Sequence, residues 1–320
     1  MAHDAPHRDA PRPLAAASRR PPERDPAPPT PEFAAIARWL ADAPTTGPSV
    51  LQGPGDDVAW VEHGGPLALS VDTLVEGVHF RPGWLSDEQV GSKALAAALS
   101  DLAAARAQPL GCLVALSLRK DQLQLRGDRV MAGLVGAAAR WGCPVLGGDT
   151  TGADRLCVSV TVLGSGSVFG RSGAQPGDLV QLSGDLGHAA AAVAAWERGQ
   201  PPSPAALRAF QDPTPRLDLR EALSSATAAV DVSDGLLADL GHLAARSGVA
   251  LSLDRGACLT AGLPPALALS GGEDYELVAT APSPLPGFRV IGRVLPGAGL
   301  SFDDGSPLPR RRGWDHGGQP

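Results

Sequence analysis

The sequence predicts an α/β protein with mixed sheets, arranged as two domains behind a short leader. Short β-rich runs alternate with longer helical segments through most of the chain. A glycine-rich stretch at 164–178 interrupts this alternation, after which a new series of strands and helices starts. The length of 320 residues suits two domains that each bury a core.

Residues 1–31 are rich in Pro, Arg, Ala and Asp and contain almost no large apolar side chain, so we predict a disordered extension. Residues 32–165 form the first predicted domain. Its elements, in order, are a helix that Glu32 opens, a strand at 67–71, a helix from Glu88 to about Ala107 capped by Asp87, a strand at 113–118, a helix at 126–141, and strands at 145–146 and 156–163.

The second predicted domain covers residues 166–320. Its elements, in order, are a strand at 179–182, helices at 187–196, 205–210 and 216–224, a strand at 228–232, a helix at 236–247, and strands at 251–253, from Tyr275, and at 289–294. Pairs of turn residues separate these elements, as is typical of an α/β domain.

The overall charge and the cysteines limit the class of protein. A net charge of -7 and a pI near 5.5 argue against electrostatic binding of nucleic acid. The sequence has no apolar stretch near the roughly 20 residues that span a bilayer, and no signal-peptide core. Its four cysteines show no CxxC spacing, so they indicate core thiols of a reducing compartment. We therefore expect a soluble cytoplasmic protein.

The segment GGDTT, Gly147 to Thr151, follows an apolar run and is predicted to form a ligand-binding turn. Glycines let a backbone approach a ligand closely, and Asp149 supplies a hard anionic oxygen. Several other carboxylates occur in similar settings, at the ends of β-rich runs or just before helices. They are Asp56, Asp57, Asp72, Asp101, Asp231, Asp234, Glu273 and Asp274.

In α/β sheets, ligands bind where strands end, so these carboxylates are expected to meet at one sheet edge. Two unit charges about 4 Å apart repel by about 4 kcal/mol at an effective dielectric of 20, so such a cluster needs cations. Oxygen ligands without a thiolate or histidine pair favour Mg²⁺, which usually binds substrate phosphates as well. The sequence therefore predicts a magnesium and nucleotide-phosphate site, although neither a GxxxxGK[ST] loop nor a kinase HRD…DFG set is present.

Each of these residues also has a simpler interpretation. A single Asp beside Gly is commonly a cap or an Asx-turn residue, and Asp101 could face solvent on its helix. For Lys93 a solvated helix face is favoured over phosphate binding. His79 is either a turn residue or a ligand contact, and Trp314 either packs on a core or stacks on a ligand ring.

The order of the motifs indicates a family. GPGDDVA, SVDTLVEGVHF, LSDLAA, GGDTT, RSGAQPGD, DVSDGLLADL and SGGEDYEL follow one another along the chain. Over residue 32 to the C-terminus the chain resembles the thiamine-monophosphate kinases, whose superfamily includes aminoimidazole ribonucleotide synthetase. DTLVEGVHF and GGEDYEL distinguish it best from sister families.

The resemblance implies a two-domain aminoimidazole ribonucleotide synthetase-like fold and a homodimer formed by the N-terminal sheets. It implies transfer of the γ-phosphoryl group of ATP to thiamine monophosphate, with several Mg²⁺ ions. By similarity, metal would be held by Asp57, Ser70, the carbonyl of Val71, Asp72, Asp101, Asp149, Asp231 and Asp234. ATP would contact Gly148, Asp149, Arg171 and Ser233, with Asp149 and Arg171 also catalytic. The thiamine substrate would contact His79, Glu273 and Trp314.

Four positions depart from the family pattern. Val71 replaces a hydroxylic residue, Ala98 a common asparagine and Arg106 a small glycine, and Val130 stands near a frequent aromatic that packs on adenine. These differences concern nucleotide affinity rather than the type of reaction.

Two other enzymes of the superfamily fit the sequence poorly. Selenophosphate synthetase needs a reactive N-terminal cysteine, but the first cysteine here is Cys112. The hydrogenase maturation carbamoyl dehydratase ends in cysteine, whereas this sequence ends in Pro320. Aminoimidazole ribonucleotide synthetase stays as an alternative enzyme, and a nucleotide- or cation-binding module without turnover stays as an alternative of another class.

Overall fold

The computed structural model describes residues 31–54 and 59–314. Within these residues two larger sheets are present, one of four strands from the first half of the chain and one of six strands from the second half. A short pair, β1 (Val50–Gln52) and β2 (Trp60–Val61), precedes them. No helix in the described part of the chain is long and apolar enough to cross a membrane.

The first sheet has the strand order β3-β6-β4-β5. Its strands are β3 (Leu67–Val75), β4 (Gln108–Leu118), β5 (Val145–Gly152) and β6 (Cys157–Ser165). The pairs with β6 are antiparallel, whereas β4 and β5 are parallel and are connected by a helix, as a parallel pair requires.

Three helices accompany this sheet: α1 (Pro31–Ala41), α2 (Asp87–Ala104) and α3 (Asp128–Trp141). Alternate side chains of β4 and β6, such as Leu116 and Val160, point into the core that α2 and α3 cover. The opposite side of the sheet, here called the outer face, carries exposed apolar side chains. They are Leu67, Leu69 and Val71 on β3 and Leu113 on β4.

Helix α2 begins with a capping box, in which the hydroxyl of Ser86 accepts the N–H of Gln89 and the Gln89 side chain accepts the N–H of Ser86. Asp87 therefore lies in the first turn and is not the cap that the sequence suggested. The helix ends at Ala104, three residues earlier than predicted, because Arg106 turns the backbone into the left-handed region with φ 55°.

The second sheet has the order β12-β9-β11-β7-β10-β8, antiparallel except for the β12–β9 pair. Its strands are β7 (Leu179–Leu182), β8 (Ala228–Asp231), β9 (Ala250–Leu253), β10 (Leu277–Ala281), β11 (Arg289–Leu295) and β12 (Gly299–Phe302). The same half of the chain contains four helices: α4 (His188–Glu197), α5 (Pro204–Gln211), α6 (Leu236–Ser247) and α7 (Pro265–Ser270). Helices α6 and α7 pack on this sheet, whereas α4 and α5 pack into the core of the first sheet.

Helix α2 connects the two halves of the molecule. It packs on β3 and β6 of the first sheet and also contacts β8, the edge strand of the second sheet. This contact brings residues of β3, α2 and β8 to one place, although they are far apart in the sequence.

Three further sequence predictions about local structure were wrong. GGDTT is not a turn but belongs to β5, because its backbone pairs with β4 throughout. Residues 216–224 form two 3-10 turns rather than a helix, and these turns bury Leu219 and Leu223. The strand of the GGEDYEL motif begins at Leu277, two residues later than predicted.

Helices α2 and α3 approach each other so closely that only glycine fits at their crossing. A Cβ on Gly91 would lie 1.9 Å from the carbonyl oxygen of Val130, and one on Gly133 would lie 1.8 Å from that of Glu88. Both neighbours are backbone atoms, so relief requires the helices to separate.

Replacing either crossing glycine by alanine is therefore expected to destabilise the protein strongly. We expect Gly91→Ala and Gly133→Ala each to lower the free energy of unfolding by about 2 kcal/mol or more, as overpacking does. Gly136→Ala, in the same helix with no atom within 4 Å of its added Cβ, should be neutral or stabilising by up to about 1 kcal/mol. Urea denaturation measures all three. Equal effects at positions 133 and 136 would contradict the close packing.

Candidate active site between the two sheets

A cavity of about 1030 Å³ opens where α2 meets the second half of the chain. Its walls come from β3 and the loop after it, from α2, α4 and α7, from the loops that follow β8 and α7, and from the segment 309–314. One end is acidic and the other is mostly apolar. This volume is that of a typical small-molecule site.

Four of the predicted metal-binding carboxylates line the acidic end: Asp72 on β3, Asp101 on α2, Asp231 at the end of β8 and Asp234 just after it. The sequence placed them at one sheet edge. They instead lie between two sheets, because α2 carries Asp101 across to the end of β8. Hydroxyls hold two of them: Ser70 donates to Asp101, and Ser100 donates to Asp231 at 2.8 Å.

These carboxylates repel one another in a partly dry environment. Burial, followed by the charges of Asp101 and Asp234, raises the pKa of Asp72 to about 6. Burial and the charge of Asp101 raise the pKa of Asp231 to about 8. Among the described residues, no Lys, Arg or His forms an ion pair with any of the four. The acidic end therefore carries negative charge that no described basic side chain pairs with.

The carboxylate oxygens at the acidic end are hard anionic donors of the kind that Mg²⁺ binds. Among the described residues, no three His, Cys, Asp or Glu side chains are grouped so that they could hold one ion. Magnesium is usually bound by one or two carboxylates and completes its octahedral shell with water and substrate phosphates.

The apolar end is formed by aliphatic and aromatic side chains, with Trp84, Val193 and Leu267 among them. Trp84 stacks on Trp196 with ring centroids 4.9 Å apart. His79 and Trp314 of the predicted substrate set also line the cavity. The Nδ1 of His79 accepts the N–H of Val75 at 3.1 Å. This end can take an organic ring system.

The loop after α7 brings Glu273 to the cavity in an unusual backbone conformation. Glu273 and Tyr275 both have left-handed φ values, 65° and 54°. Such strain in non-glycine residues is concentrated at functional sites. Asp274, between them, points away from the cavity and accepts the N–H of Gly187 at 2.8 Å, at the start of α4. It is therefore a helix cap and not a member of the acidic cluster.

The loop after β8 presents Ser233 and Asp234 to the cavity. Asp239, one turn into α6, accepts the N–H groups of Asp234 and Gly235 at 3.2 and 3.1 Å and so fixes this loop. Arg171 lies outside the cavity wall, but its charge acts on Asp239. It is exposed and within electrostatic range of the loop that carries Ser233.

Gly148 and Asp149 do not line the cavity. The side chain of Asp149 is exposed and lies on the outer face, since it pairs in register with Ala115 of β4. Gly148 approaches β4 so closely that a Cβ would lie 1.9 Å from the carbonyl oxygen of Val114. One chain therefore does not bring Asp149 together with the other four carboxylates.

The remaining predicted positions have varied locations. Asp57, together with Asp56, lies outside the described residues. Val71 is 62% exposed on the outer face. Ala98 and Val130 are fully buried in the core and do not line the cavity. Arg106 has a left-handed backbone conformation. Its guanidinium donates to the carbonyls of Leu223 and Ser224 and lies over the Phe169 ring.

Sequence reasoning missed Lys93, which was expected on a solvated helix face. Its side chain is fully buried beside the cavity, where it pairs with Glu273 at 3.0 Å. The composition of the sequence could have singled out Lys93. Of 27 lysine and arginine residues only Lys93 and Lys120 are lysine, so a lysine inside an apolar helix stands out.

Comparisons with known proteins agree with this arrangement. Residues 55–165 match the family model described as AIR synthase related protein, N-terminal domain. Structures of the hydrogenase maturation protein HypE share the fold, with a TM-score of 0.68 at 20% identity. The fold and its two-sided cavity thus define an AIR synthase-related protein.

More similar relatives narrow the assignment. The chain is 36% identical over 310 residues to thiamine-monophosphate kinase of Mycobacterium tuberculosis, covering 90% of this chain and 92% of that protein. The crystal structure of thiamine-monophosphate kinase from Stenotrophomonas maltophilia has a TM-score of 0.74 at 37% identity, covering 85% of this chain and 96% of the other. AaThiL complexed with AMPPCP and TMP has a TM-score of 0.73 at 30% identity, covering 89% and 96%. The chain belongs to the thiamine-monophosphate kinase family.

The buried cap Asp274 predicts a pH dependence of stability. Burial raises its pKa from 3.8 to about 8, against the opposing effect of N–H donors from Gly187 and Ala189. Between about pH 4 and 8 the folded state therefore holds a proton that the unfolded state has released, so this group's stabilisation is lost as pH rises to 8. Asp274→Asn keeps an acceptor for the cap but cannot titrate.

We expect the metal-free protein, measured by urea denaturation in chelator, to lose stability between pH 6 and 8, and Asp274→Asn to lose less. Asp304→Asn, at an exposed carboxyl whose pKa is lowered by Ser306, should keep the wild-type slope in this range. A slope for Asp274→Asn as steep as that of wild type would contradict the assignment.

Proposed function

We propose that this chain transfers the γ-phosphoryl group of ATP to the phosphate of thiamine monophosphate and forms thiamine diphosphate. The observation that carries the proposal is one cavity in which four carboxylates adjoin an apolar chamber. The thiamine-monophosphate kinases to which the chain is similar, and AaThiL complexed with AMPPCP and TMP, support the same activity.

In this proposal Asp72, Asp101, Asp231 and Asp234 hold magnesium, with Ser70 orienting Asp101. When bound, magnesium supplies positive charge that offsets the repulsion between two polyanionic substrates. The protein's part is to fix the carboxylates at the ends of rigid elements, so that both substrates are aligned for in-line transfer.

The reaction needs no general base. The acceptor is a phosphate monoester, whose oxygens are already anionic near neutral pH. The raised pKa values of Asp72 and Asp231 describe carboxyl groups without a cation and are not evidence for proton transfer. Catalysis then depends on position and electrostatics, as is general for phosphoryl transfer.

The organic part of the substrate occupies the apolar end. His79, Glu273 and Trp314 line the same cavity and are the proposed substrate contacts. Trp314 is fixed by its backbone N–H, which donates to the carbonyl of Asp234 at 2.9 Å. A tryptophan face can bind the cationic thiazolium ring, a contact of about 0.5–2 kcal/mol. The carboxylate of Glu273 complements the same positive charge.

On the nucleotide side, we propose that Ser233, Gly148, Asp149 and Arg171 contact ATP. Ser233 lines the cavity beside Asp234. The guanidinium of Arg171 is exposed near the loop that carries Ser233, where it can reach a distal phosphate or the charge that develops during transfer.

We further propose a homodimer formed through the outer face of the first sheet. Leu69 is 65% exposed there and Leu113 40% exposed. A sheet face that is apolar and open is a typical interaction surface. Covering it with a second copy buries these side chains and gives a symmetric interface.

The proposed dimer would also bring Asp149 to an active site, although it lies far from the other carboxylates of its own chain. In the first sheet Asp72 pairs with Val160, Val160 with Val114, and Val114 with Gly148. Three inter-strand spacings of about 4.8 Å thus separate Asp72 from Gly148, about 14 Å in all. Asp149 moreover points to the opposite face, so it can act on the phosphates only if a second copy lies against it.

The proposed location is the cytoplasm. All four cysteines, Cys112, Cys143, Cys157 and Cys258, are free thiols, and three of them are buried. Free buried thiols are usual where glutathione keeps cysteines reduced. The substrates ATP and thiamine monophosphate are phosphorylated metabolites and suit the same compartment.

Removing one cavity carboxylate is expected to abolish most of the activity. Asp101→Asn should lower kcat/KM by about 10²-fold or more, because it removes a charge that holds magnesium at the reacting phosphates. The measurement is a coupled assay of thiamine diphosphate formed from thiamine monophosphate, ATP and Mg²⁺. Asp303→Asn, at an exposed carboxylate after β12, is the matched control and should retain wild-type activity. Near wild-type turnover by Asp101→Asn would refute the metal role.

The dimer proposal can be tested with mixed dimers. Asp72→Asn and Asp149→Asn are each expected to be inactive alone. In a mixed dimer one site would have both carboxylates intact, so random pairing of co-expressed chains should restore roughly a quarter of wild-type activity. If Asp72 and Asp149 of one site came from the same chain, activity would stay at background.

A charge on the outer face supplies the control for this experiment. Leu69→Lys should yield monomers by light scattering and remove the restored activity. Leu125→Lys, at a residue that is also 65% exposed but lies outside the sheet, should leave the dimer intact. A Leu69→Lys protein that remains dimeric would exclude this interface.

A further inference from the structure

Lys93 is the most unusual charged group in the described part of the molecule. It lies on α2 and its side chain is fully buried. Burial lowers the pKa of Lys93, while the nearby Glu273 carboxylate raises it. A buried ammonium is retained only where its partners compensate for the lost hydration.

Three contacts surround the ammonium group of Lys93. Its Nζ donates to the carbonyl oxygen of Phe210 at 2.9 Å and to Oε2 of Glu273 at 3.0 Å, and it lies 3.5 Å from the centre of the Phe210 ring. An ammonium group has three N–H donors, and its partners here are two hydrogen-bond acceptors and one aromatic face. The pocket suits the compact ammonium of lysine and not the planar guanidinium used at most other basic positions of the chain.

Phe210 itself is held in place by aromatic packing. Its ring meets Trp196 edge-on at 5.1 Å and Trp84 at 5.9 Å. Trp84 lines the cavity, so the aromatic cluster forms the wall behind which Lys93 is enclosed. The ammonium is shielded from the cavity and cannot contact a substrate phosphate.

Glu273 is fixed from two sides. Its backbone N–H donates to the carbonyl of Ser233 at 2.7 Å, and its side chain accepts from Lys93. The backbone has a left-handed φ of 65°, which a glutamate adopts only where its surroundings hold it. The side chain nevertheless stays 23% exposed and lines the cavity.

We infer that Lys93 is a positioning residue for substrate recognition: from behind the cavity wall it holds the Glu273 carboxylate toward the organic cation of the acceptor. This inference rests on the proposed function, in which Glu273 contacts the thiamine moiety. Helix α2 then contributes twice, with Asp101 toward the phosphates and Lys93 toward the acceptor's ring system. The two positions are eight residues apart and so lie near one face of the helix.

The test is a steady-state comparison of wild type with Lys93→Met, Glu273→Gln and the double variant. Wild-type turnover is measured first, and its absence would refute the proposed function and not the role of Lys93. We expect Lys93→Met to raise the KM for thiamine monophosphate about 10-fold or more, with kcat and the KM for ATP changed less than about 2-fold.

The double variant separates positioning from general stability. If Lys93 acts through Glu273, adding Lys93→Met to Glu273→Gln should raise the KM for thiamine monophosphate less than about 2-fold further. A structural role would instead lower kcat and both affinities together, and would do so equally in either background. Lys120→Met, at the only other lysine, which is exposed, should match wild type.

Folding of each variant is followed by its thermal midpoint and circular dichroism. Lys93→Gln, a neutral donor whose side chain is one bond shorter, serves if the methionine variant does not fold, and the KM for thiamine monophosphate should rise in the same direction because the charged hydrogen bond to Glu273 is lost. An unchanged KM for thiamine monophosphate in a folded variant would overturn the inference. Failure of both variants to fold would overturn it as well, because it would assign Lys93 to the core alone.

Discussion

Negative charge confined between two sheets is the constraint on which this structure depends. Asp72, Asp101, Asp231 and Asp234 line one cavity end, and no described basic side chain is paired with them. Burial and mutual repulsion raise the pKa values of Asp72 and Asp231. A fold that keeps such groups together gains nothing in stability from them. Their arrangement suits the proposed function, which brings cations and phosphates to the cavity.

Helix α2 is the element that makes this cavity possible. It packs on the first sheet and on α3, with glycines at the crossing, and its other side reaches β8 of the second sheet. Asp101 therefore meets Asp231, although 130 residues separate them in the sequence. The same helix encloses Lys93 behind the aromatic wall. One rigid helix thus carries both Asp101, at the acidic end of the cavity, and Lys93, behind the cavity wall.

The strained loop at Glu273 is held by contacts from both halves of the molecule. Its main chain is bound to the loop of Ser233, and its side chain to Lys93 of α2. Asp274, one residue later, turns away and caps α4. Neighbouring acidic residues of one motif thus have different tasks, one at the cavity and one in the scaffold. The conformation of each peptide unit, and not the motif alone, decides which task a residue has.

The sequence by itself determined the α/β class, most helices and strands, and a family resemblance based on motifs such as DTLVEGVHF and GGEDYEL. It also selected four carboxylates that do share a cavity. It could not determine which face Asp149 occupies. Side chains of a strand alternate between the two faces of a sheet, so one extra residue reverses the face of every later residue. The register of β5 against β4 shifts between Val145 and Gly147, and both Val145 and Leu146 are buried as a result. Nor could it locate Lys93, because burial depends on Phe210 and Glu273, residues brought near only by tertiary packing.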